Sequence, residues 1–89
     1  MRYSVEFTEK AKKQLAKLDK HIARLIISWL YKNLQNCEDP RAHGKCLTAN
    51  RSGQWRYRVG DYRLLADIQD DKVIILILAL GHRSEIYND

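Results

Sequence analysis

This sequence gives little support for a disulfide framework, a metal centre or a membrane span. It has only two cysteines, Cys37 and Cys46, which are too few for a disulfide framework and lack the spacing of metal ligands. No apolar run approaches the ~18 residues that a membrane-spanning helix needs, and the charged, alternating N-terminus does not resemble a signal peptide. We therefore expect a cytoplasmic protein with free thiols and with no metal, cofactor or membrane contact.

The familiar signatures of enzymes are missing as well. The sequence contains no HExxH, no P-loop, no GxSxG and no carboxylate pair with obvious spacing. Its length of 89 residues predicts one domain, residues 1–89. This length is near the lower limit for a hydrophobic core that is not reinforced by disulfides or bound metals. What the sequence does have is positive charge, since 16 lysines and arginines against 11 aspartates and glutamates give a net charge of +5. This balance favours an acidic partner, either a nucleic acid or an acidic protein.

Hydrophobic periodicity predicts a strand and two helices in the first part of the chain. Residues 1–7 alternate between apolar and polar side chains, as a half-buried strand does. Thr8 and Asp19 are candidate N-caps of two consecutive helices that end near Leu18 and Asn36. Apolar side chains recur every three or four residues in the second helix, which predicts a helical hairpin lying on one side of a sheet.

Three further strands are predicted after a loop. Residues 37–53 lose all periodicity once Pro40 has ended the helix. Strands then follow at 55–59, at 62 to about 68 and at 73–80, where a continuous apolar run indicates a central or covered strand. The predicted fold class is α+β: an N-terminal strand, a helical hairpin and a three-stranded antiparallel meander, forming one small sheet with the helices on one face.

The helices and the loop carry weaker functional signals. We interpret the lysines of the first helix as a solvated face in preference to a nucleic-acid contact. Trp29 of the second helix is interpreted as core, or as part of a groove for a partner segment, in preference to a stacking platform for bases. His43, Lys45 and Arg51 in the loop could follow a phosphate backbone, but a solvated loop is the simpler expectation.

The strongest signal is a predicted hairpin that is rich in arginine. Gly60 and Asp61 supply the positive φ of a two-residue turn, which pairs Arg58 with Arg63. One face of the hairpin is then apolar: Trp55, Tyr57, Val59, Tyr62, Leu64 and Ala66. The opposite face carries the arginines of both strands: Arg56, Arg58 and Arg63. Like charges directly opposite on a sheet destabilise it by about 0.2–1 kcal/mol per pair, so this arrangement favours an anion between the guanidinium groups, and points to phosphate.

The antiparallel meander is expected to bring His82 and Arg83 close to these hairpin arginines. Guanidinium groups bind phosphate bidentately and stay charged, so a cluster of them can clamp a scissile phosphate and stabilise its transition state. His82 is a candidate for proton transfer, and Tyr87 for base stacking or proton exchange. In RNA the nucleophile can be the 2′-hydroxyl beside the phosphate. The alternative is that these are ordinary exposed strand residues and a turn histidine.

Two motifs stand out as a pair: residues 55–65, WRYRVGDYRLL, and residues 81–87, GHRSEIY. Together they resemble the RelE toxins of the RelE/ParE superfamily of bacterial toxin–antitoxin modules. Residues 39–41 and 44–47 also resemble the loop that precedes the hairpin in this family. The resemblance covers essentially the whole chain, and it implies the same α+β order of a strand, a helical hairpin and a meander.

The resemblance also implies an activity and a set of partners. RelE-type members are mRNA interferases that enter the A site of the 30S ribosomal subunit and cut the mRNA there. The 2′-hydroxyl attacks the adjacent phosphate, and the products carry a cyclic phosphate. The implied partners are mRNA on the ribosome, a cognate antitoxin that blocks the site, and operator DNA only through the antitoxin complex.

Individual roles follow from the resemblance by position. Arg56 and Arg58 fall where the family has basic strand residues that contact and activate the RNA. Arg63 matches the arginine that holds the transition-state phosphate. Arg83 resembles the arginine proposed to protonate the leaving 5′-oxygen, and Tyr87 the tyrosine that stacks on the substrate base.

The chain also departs from the family pattern. The best-known member has lysines in place of Arg56 and Arg58, and its segment between Gly81 and Tyr87 is two residues longer. His82 is therefore a further candidate for part of the proton transfer. Two other functions stay open: a ParE-like toxin that inhibits DNA gyrase without catalysis, and an inactive member that acts only as an antitoxin or operator partner.

Overall fold

Five strands and two main helices build the described part of the chain, which covers residues 2–46 and 54–86 of the computed structural model. In chain order the elements are β1 (Ser4–Phe7), α1 (Glu9–Lys17), α2 (Lys20–Asn33), a 3₁₀ turn (Pro40–Ala42), β2 (Lys45–Cys46), β3 (Gln54–Val59), β4 (Tyr62–Gln69), β5 (Ile74–His82) and the short helix α3 (Arg83–Ile86). The strands form one sheet in the order β1-β5-β4-β3-β2. No helix within these ranges is long and apolar enough to cross a membrane.

Both main helices begin at the predicted caps. The Thr8 hydroxyl accepts a hydrogen bond from the Ala11 N–H at 3.1 Å, and the Asp19 carboxylate accepts one from the His21 N–H at 3.0 Å. These side chains satisfy N–H groups that have no partner within the helix. α2 ends at Asn33, earlier than predicted, and Asn36 beyond it takes the left-handed φ of +66°.

The helices cover one face of the sheet, and the hydrophobic core lies between the two layers. Ala11 of α1 and Ile26 of α2 belong to the same fully buried cluster as Tyr57 of β3 and Leu64 of β4. The other buried members of this cluster are Leu30, Leu34, Val59, Ala66, Ile75, Ile77 and Leu80. The predicted α+β fold class, with its helical hairpin on one side of the sheet, is therefore confirmed.

β5 lies inside the sheet, as its apolar run predicts. It pairs in parallel with β1 and in antiparallel with β4. Its first residues alternate between half-buried and buried, so one of its faces is better covered than the other. The strand begins at Ile74, not at Val73. Val73 lies in the preceding turn with a φ of +57°, a conformation that is strained for a β-branched residue.

Two local details differ from the sequence prediction. The predicted loop contains a short strand, β2, in which Lys45 pairs with Arg56 of β3. Two residues are too few to show alternation, so periodicity could not reveal this strand. In the β3–β4 turn only Gly60 has a positive φ, +60°, and the prediction of a positive φ for Asp61 was wrong. Glycine at the first central position is the pattern of a type II′ turn.

A cluster of three polar side chains ties the N-terminal strand, the 3₁₀ turn and the β4–β5 turn together. Arg41 donates to both carboxylate oxygens of Asp70, at 3.1 and 3.0 Å, and the Tyr3 hydroxyl donates to the same carboxylate at 2.6 Å. These two hydrogen-bonding partners, Arg41 first and Tyr3 second, lower the pKa of Asp70 below its ordinary value of 3.8.

The lowered pKa of Asp70 predicts an acid-sensitive contribution to stability. A carboxyl group with a lower pKa in the folded than in the unfolded chain stabilises the fold above pH 3.8, and this contribution is lost as the pH falls through the folded-state value. We expect Asp70→Asn to lower the melting temperature at pH 7. The difference from wild type should narrow steadily below pH 3.8 in a series of melting curves. A difference that stays constant down to pH 2 would contradict this assignment.

Candidate functional site

The arginine hairpin forms with the register that the sequence predicts. Arg58 pairs with Arg63, Val59 with Tyr62 and Tyr57 with Leu64 across β3 and β4. Tyr57, Val59, Leu64 and Ala66 are buried, Trp55 and Tyr62 are half-buried against the core, and Arg58 on the other face is exposed. Because strand side chains alternate, burial of the apolar face fixes the arginines on the opposite face.

The end of β5 brings a fourth arginine to the same place. Gly81 of β5 pairs with Arg63, and the N–H of Arg83 donates to the carbonyl of Asp61 in the hairpin turn at 2.8 Å. Four arginines thereby line one open cavity of about 770 Å³: Arg56, Arg58, Arg63 and Arg83. The structure thus brings together the four arginines that the sequence singles out.

The guanidinium group of Arg63 is held by its own hairpin. One of its terminal nitrogens lies 3.2 Å from each of two carbonyl oxygens, those of Gly60 and Tyr62, and donates to both. Burial and then the positive charges of Arg58, Arg56 and Arg83 lower the pKa of Arg63. An arginine nevertheless stays charged at neutral pH. Among the described residues that line the cavity none is acidic, so an anion entering it would relieve this mutual repulsion.

The second wall of the cavity is formed by α2 and by the segment after the 3₁₀ turn. Trp29, His43 and Gly44 line it together with the arginines. The ring centroids of Trp29 and His43 are 5.7 Å apart in an edge-to-face arrangement, and Trp29 also lies 5.8 Å from the ring of Tyr57. Trp29 is half-buried, so it packs on the core and faces the cavity at once. Sequence reasoning placed His43 in a solvated loop and missed its position in this cavity.

Three contacts fix this segment against β3. The buried Tyr57 hydroxyl donates to the Pro40 carbonyl at 2.7 Å, and the Trp55 indole N–H donates to the carbonyl of His43. Gly44 has a φ of +76° and lies directly on the strand. A Cβ atom on Gly44 would overlap the carbonyl oxygen of Arg56 and come within 2.9 Å of the Trp55 and Tyr57 side chains. The loop therefore holds His43 beside the arginine strand.

Gly44 is expected to be much less tolerant of alanine than Gly60. Both glycines have a positive φ, for which alanine costs about 1–2 kcal/mol. A Cβ on Gly60 meets nothing within 4 Å, whereas one on Gly44 collides with backbone. Urea denaturation should show a loss of about 1–2 kcal/mol for Gly60→Ala and a larger loss for Gly44→Ala. Equal losses would show that the segment moves away from β3 without cost.

The remaining predicted site residues lie elsewhere or outside the described residues. His82 lies outside the described lining of the cavity. Its ring stands edge-on to Tyr62 with centroids 5.5 Å apart, and its Nδ1 accepts from the Ser84 N–H at 3.2 Å. Lys45 pairs with Arg56 through its backbone, and its side chain is not among those described. Tyr87 and Arg51 lie outside the described residues.

Comparison with known proteins gives one consistent family. The model of the family "ParE toxin of type II toxin-antitoxin system, parDE" matches residues 5–87. Toxin RelG of Mycobacterium tuberculosis is 34% identical over 87 residues, which cover 98% of each chain.

Solved structures agree with this match. The toxin–antitoxin complex RelBE2 from M. tuberculosis contains a chain that is 32% identical, with a TM-score of 0.82 and coverage of 96% of this chain and 95% of that one. The isolated Escherichia coli RelE toxin has the same fold, with a TM-score of 0.71, 24% identity and coverage of 96% and 90%. The chain described here belongs to the RelE/ParE family of toxins from type II toxin–antitoxin systems.

Proposed function

We propose that this toxin is a ribosome-dependent mRNA endonuclease that cuts mRNA in the ribosomal A site. The observation that carries the proposal is the single cavity lined by four arginines and, among its described lining residues, by no carboxylate. Such a site matches a phosphodiester in sign, and the planar guanidinium group matches it in hydrogen-bonding geometry. Membership of the RelE/ParE toxin family supports the same proposal.

The chemistry that suits this cavity is attack by the 2′-hydroxyl of the RNA on the adjacent phosphate. The O2′–P bond forms, the P–O5′ bond breaks, and the products are a 2′,3′-cyclic phosphate and a free 5′-hydroxyl. Negative charge builds on the phosphoryl oxygens in the transition state. Preorganised guanidinium groups stabilise that charge without rearranging, so positioning and electrostatics can supply most of the catalysis.

A cognate antitoxin is the protein partner that this proposal includes. The structural relative from M. tuberculosis is a toxin–antitoxin complex, and an antitoxin segment with acidic side chains would fit the positively charged cavity. Operator DNA would be reached only through such a complex.

Inhibition of DNA gyrase by binding is the second candidate function. The observation that favours it is the matching family model, which is that of ParE toxins. A binding toxin, however, has no need for guanidinium groups that converge on one cavity and repel one another. This feature makes the nuclease the first candidate.

A translating cell extract separates the two functions. The purified toxin is added to the extract, the mRNA ends are mapped by primer extension, and gyrase is assayed in parallel by DNA supercoiling. The nuclease predicts new mRNA ends within codons at the A site that depend on translation, with supercoiling unchanged. Loss of supercoiling with intact mRNA would refute the nuclease and support gyrase inhibition.

A further inference from the structure

The cavity contains a side chain that can exchange protons, and it is not the histidine that the sequence motif suggests. The arginines that surround the proposed phosphate site are poor proton acceptors, because a guanidinium group stays charged. Attack by a 2′-hydroxyl is assisted by a group that accepts its proton. We propose that His43 is this general base, an inference that rests on the nuclease function proposed above.

The position of His43 is set by the protein and not by the substrate. Its carbonyl is held by the Trp55 indole, and the next residue, Gly44, is pressed against the backbone of β3. Its ring stands edge-on to Trp29 in the cavity wall. A group held in this way is preorganised, so little conformational freedom has to be lost when RNA binds.

The charged side chains around His43 favour a phosphodiester beside it. Among the described residues that line its cavity, the charged side chains are all positive: Arg56 and Arg58 from β3, Arg63 from β4 and Arg83 from α3. The groups that contact its ring or backbone from α2 and β3, Trp29 and Trp55, are uncharged. These guanidinium groups would hold a phosphodiester in the same cavity as the His43 ring.

His82 is less suited to the same role. Its Nδ1 is occupied by the Ser84 N–H, its ring edge meets Tyr62, and it does not contribute to the described lining of the cavity. His43, by contrast, lines the same cavity as the four arginines.

The proton balance of the step is simple. A ring nitrogen of His43 takes the proton of the 2′-hydroxyl while O2′ attacks phosphorus. The P–O5′ bond then breaks, and the departing 5′-oxygen takes a proton from water. The imidazolium of His43 returns its proton to solvent, and the enzyme is restored.

The test is single-turnover cleavage of ribosome-bound mRNA by the purified full-length toxin. We expect His43→Gln to lower the rate constant by about 10²–10⁴-fold, the usual contribution of a general base. His21→Gln makes the same substitution at an exposed helix start and should leave the rate unchanged. Binding of a ribosome-bound mRNA with a 2′-deoxy nucleotide at the cut site should be the same for all three proteins.

A pH profile separates proton transfer from a structural role. The wild-type rate should rise with pH and then level off, because only an unprotonated base accepts the 2′-hydroxyl proton, and His43→Gln should lose this rise. Imidazole added to the buffer should partly restore the cleavage rate of His43→Ala. The inference is overturned if His43→Gln cleaves within threefold of wild type, or keeps the wild-type pH profile, or if His82→Gln alone removes that profile. Absence of cleavage by wild type would instead refute the nuclease itself, and this inference with it.

Discussion

Arg63→Ala is expected to lower the rate of mRNA cleavage by about 10²–10³-fold and to abolish growth inhibition. Arg63 is hydrogen-bonded to two carbonyl oxygens of its own hairpin, so its guanidinium group is fixed before RNA arrives. Burial is the largest cause of the lowered pKa of Arg63, and the positive charges of the three other arginines lower it further. In the proposed mechanism, removal of this group would take away a preorganised positive charge where the phosphoryl oxygens become more negative.

The variant should still fold, because Arg63 lies on the sheet face opposite the core. It should still bind the antitoxin, because three of the four arginines that line the cavity remain. Arg24→Ala is a matched control, since Arg24 is an exposed arginine of α2 outside the cavity lining. Growth after induction measures toxicity, a pull-down measures antitoxin binding, and a single-turnover assay measures the rate of mRNA cleavage. Arg63→Lys keeps the charge without the planar fork, and we expect an intermediate rate. Toxicity at the wild-type level in Arg63→Ala would contradict the proposed site.

Most of the arginine cluster could be predicted because local rules determine it. The tight turn at Gly60 fixes which residues face each other, and alternation fixes their faces, so the Arg58–Arg63 pair followed from the sequence alone. The antiparallel meander then required the end of β5 to return beside the turn. Arg83 arrives there as expected, and its N–H bonds to Asp61.

The second wall of the cavity could not be predicted in this way. Its position depends on a non-periodic segment that docks through isolated polar contacts: the Tyr57 hydroxyl on the Pro40 carbonyl and the Trp55 indole on the His43 carbonyl. Such bonds join residues far apart in sequence and leave no local pattern. The pair His43-Gly44 was the only available signal, because a glycine in a loop marks a possible close approach of two backbone segments.

Tyr57 connects the core to this cavity wall, and Tyr57→Ala is expected to reduce the free energy of unfolding by about 3–5 kcal/mol. The side chain is fully buried in the main core cluster, and burial is the leading cause of the raised pKa of its hydroxyl. Truncation would leave a cavity between β3 and α2, next to Trp29. A small domain has only about 5–15 kcal/mol of stability in total, so this single change should leave the protein partly unfolded at 37 °C.

Tyr57→Phe isolates the contribution of the hydroxyl group. The ring stays in the core, but the Pro40 carbonyl loses the donor that lies 2.7 Å away, which should cost about 1–3 kcal/mol. Urea denaturation should therefore show a smaller loss of unfolding free energy for Tyr57→Phe than for Tyr57→Ala. Tyr57→Phe should remain folded at 37 °C. If this hydrogen bond also positions the wall that carries His43, the folded Tyr57→Phe protein should cleave mRNA more slowly while binding the 2′-deoxy mRNA normally. A full cleavage rate in that variant would show that the ring alone, through its contact with Trp29, holds the wall in place.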